Sequence, residues 1–142
     1  MSKKLDLYLA NLGVNYVKLH NLHWNVIGRG FKQVHEYLEA MYDETTESFD
    51  EVAEYQKMVG EYPKASLEEY LKITTIKELE SKDYSIEDAL KIAVEDQKLI
   101  RDLATEIRNE ADDKGEFILV ALMEGEVEAQ NKHIWFIESM LK

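Results

Sequence analysis

Four stretches of this chain place a core-forming side chain at alternating steps of four and three residues, and that period admits one kind of secondary structure. Leu5, Leu9, Leu12, Tyr16, Leu19, His23 and Val26 form the first stripe, and Phe31, Val34, Leu38, Met41, Thr45, Phe49 and Val52 the second. Ile86, Leu90, Ala93, Gln97, Ile100, Ala104 and Ile107 make the third; Val120, Met123, Val127, Gln130, Ile134, Ile137 and Leu141 make the fourth. Side chains three and four apart share one face of an α-helix, so each stripe reads as the buried side of a long amphipathic helix. The stripes break at Gly28-Arg29-Gly30, between Gly60 and Pro63, and at Asp112-Asp113-Lys114-Gly115, where glycine permits a turn and proline ends a helix. Ser66-Leu67-Glu68-Glu69 reads as the capped start of a short helix reaching about Ile73, followed by a polar connection through Lys82. Ser85-Ile86-Glu87-Asp88 caps the third long helix in the same way. The pattern predicts an all-α fold, a four-helix bundle with a short helix in the long crossing between helices two and three. A length of 142 residues without internal repeats predicts one domain over 1–142.

Charge and composition narrow the function. A net charge of −12 opposes DNA and anionic membranes as partners, because phosphate contacts need clustered Lys and Arg. The absence of cysteine excludes a disulfide framework and a thiolate metal site. Neither a signal peptide nor a run of eighteen apolar residues is present, so a soluble, cytoplasmic protein is expected.

Three of the four histidines fall between residues 20 and 35. On the second helix, taking His35 as zero and about 100° per residue, Glu39 lies near ~40°, Asp50 near ~60° and Glu54 near ~100°, off the apolar face. Four metal-competent side chains therefore share one flank, although a solvated acidic face has the same signature. Axial distance separates them: at a rise of about 1.5 Å per residue, His35 and Glu39 lie roughly 20 Å from Asp50 and Glu54, far beyond the ~2 Å of a ligand bond. If two copies of this helix pack antiparallel about a two-fold axis, the His35 end of one meets the Asp50 end of the other, and two equivalent sites form. His23 precedes the Gly28–Gly30 turn, which folds it back toward His35. It is read either as a core histidine or as a ligand. His20 stands beside His23 without joining the ligand set, and His133, with no comparable carboxylate setting, reads as structural. Imidazole and carboxylates without sulfur suit Fe(II), Mn(II) or Zn(II). Because no Glu stands three residues before any histidine, an intrachain Glu-x-x-His di-iron centre is not expected.

These residues resemble a known family. His23-Trp24-Asn25-Val26-Ile27-Gly28, then Val34-His35 and Glu39, is similar to the first signature of the Dps proteins, the DNA-binding proteins from starved cells or miniferritins. Phe49-Asp50-Glu51-Val52-Ala53-Glu54, with Gly60 and Pro63 after it, resembles the second, and the closing KHIWFIESML is also similar. The resemblance spans nearly the whole chain and implies a ferritin-like bundle assembled as a dodecamer from two-fold dimers. It implies a dinuclear iron site between subunits, with His23, His35 and Glu39 from one chain and Asp50 and Glu54 from its partner. The implied activity is oxidation of Fe(II), typically by hydrogen peroxide, with ferric mineral stored in a hollow shell. Trp24 occupies the position whose indole is implied to trap stray oxidising equivalents; simple packing is the other reading.

Three departures stand out. Glu39 replaces the more usual Asp, Tyr55 replaces an Arg, and the segment before KHIW lacks the usual pore aspartates, leaving Glu116, Glu124 and Glu128 as substitutes. Two other functions are weighed. A DNA-compacting protein would need a basic tail, for which only Lys3 and Lys4 are available, and a passive metal-binding shell would tolerate damaged ligand positions, yet all five carry competent groups.

Overall fold

A computed structural model describes residues 2–142 and contains the four long helices: α1 (Ser2–Asn25), α2 (Phe31–Met58), α4 (Ile86–Asp113) and α5 (Phe117–Leu141), with the short α3 (Leu67–Ile73) in the crossing. Two elements were not foreseen. Strands β1 (Val26–Ile27) and β2 (Tyr84–Ser85) pair in parallel, Val26 opposite Tyr84 and Ile27 opposite Ser85. A two-residue ladder has too short a pattern to be read from period, and its role is positional: it ties the end of α1 to the start of α4.

That tie fixes the topology. α1 and α2 form one antiparallel hairpin and α4 and α5 another, so a chain leaving the far end of α2 must travel the length of the bundle to begin α4 beside β1. The long crossing is held to α1 by two asparagines, the buried Asn11 and the half-buried Asn21. Asn11 Oδ1 accepts from Thr74 Oγ1 at 2.7 Å and from Thr75 N at 3.0 Å, and Asn21 Nδ2 donates to the carbonyls of Leu79 and Glu80, each at 3.3 Å. The caps anticipated from sequence form: Ser66 Oγ accepts from Glu69 N at 3.3 Å and Ser85 Oγ from Asp88 N at 3.1 Å. Gly30, at φ 88°, stands where only glycine enters α2 without strain, and a Cβ there would lie 3.4 Å from Ile86 Cδ1.

The core is divided. One apolar cluster joins Leu5, Leu9 and Leu12 to Val52, Ile100, Ile107, Leu119 and Met123; the other joins Leu19, Leu22 and Val26 to Leu38, Met41, Leu90, Val94 and Ile137. Between them lies a belt of buried polar residues: Asn15 and Lys18 on α1, Thr45 on α2, Asp96 and Gln97 on α4, and Glu126 and Gln130 on α5. Lys18 Nζ and Asp96 Oδ2 pair at 2.7 Å, which compensates two charges that would be costly to bury alone. Two residues depart from the stripe pattern. Tyr16 and Phe31 are exposed, 39% and 41% respectively, on the α1 and α2 surfaces.

Candidate metal centre

His23 lies in the last turn of α1 and His35 in the second turn of α2, and the glycine turn brings them face to face. The rings stack with centroids 3.7 Å apart and planes within 12°. Their main-chain contacts are reciprocal: His23 Nδ1 donates to the His35 carbonyl, and His35 Nδ1 donates to the His23 carbonyl, both at 2.7 Å. Donation to a carbonyl requires a proton on Nδ1, so in each neutral ring the lone pair is on Nε2. This is the arrangement that orients a ligating imidazole. His23 is therefore buried and still offers a ligand atom; the core and ligand readings are compatible.

Glu39, one turn beyond His35, holds Oε1 at 3.8 Å from His23 Nε2. That is too long for a hydrogen bond, and it suits two donors each about 2 Å from a shared ion. Asp50 and Glu54 are exposed farther along α2, and among the described residues no three His, Asp or Glu side chains of one chain converge on a common point. The histidine end and the Asp50 end of α2 are thus separate clusters within one chain.

Aromatic rings surround the histidine pair. Tyr42 meets His23 edge-on, with centroids 5.2 Å apart, and stacks on His20 at 3.7 Å. His20 Nδ1 donates to the Tyr16 carbonyl at 2.8 Å, which fixes His20 as a support beside the pair. Desolvation, followed by the Glu39 and Asp43 carboxylates, raises the Tyr42 phenol pKa. Sequence reading missed Tyr42; its spacing, three after Glu39 and seven after His35, was the available signal. Trp24 lies 5.4 Å from His20 between ring centroids and is 68% exposed, so packing within the chain does not account for it.

His133 corrects the sequence expectation. Its Nε2 donates to the Glu44 carboxylate and its Nδ1 accepts from Tyr37 OH at 2.5 Å, so it has a carboxylate setting, supplied across the bundle by α2. Adjacency in sequence cannot reveal a partner 89 positions away. Of the substitute acids, Glu124 accepts from Arg108 Nε at 3.0 Å, Glu116 has one oxygen buried without a hydrogen-bond partner, and Glu128 is exposed. Tyr55 is buried in the first apolar cluster.

Residues 2–142 match the ferritin-like domain family. This chain belongs to that family, on its Dps branch. Antigen TpF1 of Treponema pallidum is 34% identical over 140 residues, covering 99% of this chain and 79% of that protein. The DNA protection during starvation protein of Helicobacter pylori is 32% identical over 132 residues, covering 93% of this chain and 92% of the relative. In structure, the TpF1 crystal structure superposes with a TM-score of 0.97 over 99% of this chain and 90% of its own, at 34% identity. A Dps protein from Bacillus brevis gives 0.94 at 30% identity, over 99% of this chain and 94% of that one. Among the described residues, no helix is long and apolar enough to cross a membrane.

Proposed function

We propose that this Dps-branch chain is a ferroxidase and iron-storage subunit whose dinuclear site is completed only by a second copy. His23, His35 and Glu39 bind Fe(II) on one protomer, and Asp50 and Glu54 of the partner subunit close the same site, with α2 antiparallel to its mate. The observation that carries this reading is the paired histidines. Two imidazoles have Nδ1 fixed and Nε2 free, yet within one chain they meet only one carboxylate. A half-site with no partner in its own chain calls for one from another. The surface beside it agrees: Tyr16, Val17, Trp24, Phe31, Leu67 and Leu71 are exposed, and an apolar cavity of about 280 Å³ opens between Gly13, Val17, Phe49 and Tyr70. Neutral imidazoles and hard carboxylates hold both ferrous and ferric iron, and the carboxylates favour the ferric product.

Each hydrogen peroxide takes one electron from each of two ferrous ions, so little hydroxyl radical is released, and ferric mineral collects inside a dodecameric, cytoplasmic shell. Protection of DNA follows from removing iron and peroxide, without contact with DNA. Lys4 is engaged by Glu106 and Glu110, which leaves little free positive charge at that end of α1 for phosphate.

Mixing decides the matter. A His23→Ala/His35→Ala chain and an Asp50→Ala/Glu54→Ala chain are each expected to lack ferroxidase activity, and co-assembly is expected to restore part of it, because a mixed dimer carries one intact site. Verified mixed shells that remain inactive would sink the shared-site reading.

A further inference from the structure

Tyr8 is a phenol with no place in the site described above. It is fully buried on α1 and donates to Glu126 Oε1 of α5 at 2.6 Å; Glu126 Oε2 accepts in turn from Ser48 Oγ of α2 at 2.8 Å. Gln130 Nε2 lies 3.4 Å from the phenol oxygen. The carboxylate is buried, yet it lies at the base of a groove of about 320 Å³ lined by Glu44, Glu47 and Glu51, through which a proton can reach solvent. Burial raises the pKa of both groups, so the proton sits on Tyr8 at rest and is accepted readily by Glu126 when the phenol becomes acidic. The other internally bonded tyrosines are placed differently. Tyr70 and Tyr84 donate to main-chain carbonyls, which are poor bases, and Tyr37, bonded to His133, is only part-buried.

Oxidation turns a phenol into a strong acid, so a tyrosine gives up an electron easily only where a base takes the proton in the same step. We propose that Tyr8 is a buried one-electron donor that intercepts oxidising equivalents escaping from the Asp50/Glu54 half-site. This role rests on the ferroxidase reading. Position supports it, because Ser48, which holds Glu126, is two residues from Asp50 on α2. In the step, the Tyr8 O–H bond breaks, the proton passes to Glu126, and the electron reduces a hydroxyl radical to hydroxide, leaving a neutral phenoxyl. A further ferrous ion returns the electron, becoming ferric, and Glu126 returns the proton. The sum is hydroxyl radical and Fe(II) converted to hydroxide and Fe(III), with no lasting damage to the chain.

The test is electron paramagnetic resonance of the whole protein, frozen after oxidation in two arms: Fe(II) with hydrogen peroxide, and iron-free photogenerated tris(bipyridine)ruthenium(III). A long-lived phenoxyl signal is expected in both arms, the iron arm being run with peroxide in excess so that no Fe(II) remains to reduce it. Tyr8→Phe should remove at least nine-tenths of it, and Glu126→Gln, which keeps the phenol but removes the base, should lower it about as far. Tyr62→Phe, at an exposed tyrosine, should leave it unchanged. Helical content and shell assembly are checked for each variant, and Glu126→Gln carries the test if Tyr8→Phe does not fold. A signal that survives both variants, or that disappears in Tyr37→Phe instead, overturns the proposal. Loss of the signal in the iron arm alone also overturns the proposal, because the phenol–carboxylate pair is then oxidisable but intercepts nothing from the centre. An iron-arm signal unchanged in an Asp50→Ala/Glu54→Ala chain marks instead failure of the ferroxidase reading, the oxidant then coming from free iron.

Discussion

Each histidine of the stacked pair is held by the main chain at the other's position, so the proposed half-site is built before any metal arrives. The remaining cost of binding falls on the carboxylates, which makes their charge decisive. Asp50→Asn and Glu54→Gln keep side-chain volume and are expected to lower the ferroxidase rate by at least the roughly 10–100-fold that loss of an orienting partner costs. Glu39→Asp keeps the charge and shortens the reach, and should stay within a few-fold of the parent or exceed it; a stopped-flow comparison of the three variants checks the ranking. Glu126 supplies a test of sign. Burial raises its pKa above the ordinary value of 4.5, so the folded state binds its proton more tightly than the unfolded chain does. Its contribution is fully present below the unfolded value and is lost as pH rises through the folded one. Relative to Glu126→Gln, the parent should therefore lose stability as pH rises across that window, measured by urea midpoints at each pH. A constant difference between the two would show that Glu126 has the same proton affinity folded and unfolded.

Among the elements, the helices were legible because burial repeats every three to four residues over many turns, and the caps because Ser66 and Ser85 precede acidic first turns. Tyr16 and Phe31 broke the rule for a physical reason: an apolar residue at stripe spacing reads as core whether its own chain or another covers it. The β1–β2 ladder and the His133–Glu44 contact escaped because each joins residues far apart in sequence, and nothing local encodes the pairing. Asp50 and Glu54 were legible as residue types on a helix flank, but the ion they would share lies outside any one chain. Two changes test the local logic. Gly30→Ala forces a Cβ into a left-handed conformation beside Ile86 and should cost about 1–2 kcal/mol. Ser85→Ala removes the cap of α4 and should cost about 1 kcal/mol. Chemical denaturation reads both. Only the glycine change should also weaken Fe(II) binding, since its turn sets the His23–His35 stack.

For the whole molecule, a net charge of −12 governs encounters before any contact is made. A surface of that sign favours cations over phosphate polymers, so plasmid should show no mobility shift near neutral pH at moderate salt. A shift abolished by removing residues 1–4 would show that Lys3 and Lys4 outweigh the rest of the surface.

The polar belt across the middle of the bundle has a consequence for how the molecule opens. Every long helix runs through both apolar clusters, so the natural units of local unfolding are not helices but the two ends of the bundle. Amide hydrogen exchange should then sort into two groups that cut each helix in half, with Leu9, Val52, Ile107 and Met123 exchanging together and Leu22, Leu38, Leu90 and Ile137 exchanging together. The seam between them falls at Asn15, whose side-chain amide is buried without a hydrogen-bond partner. The stacked histidines belong to one group and Asp50 to the other, so each shared centre would join the glycine-turn end of one subunit to the opposite end of its neighbour. Loading iron should slow exchange in both groups at once, turning two independent motions into one.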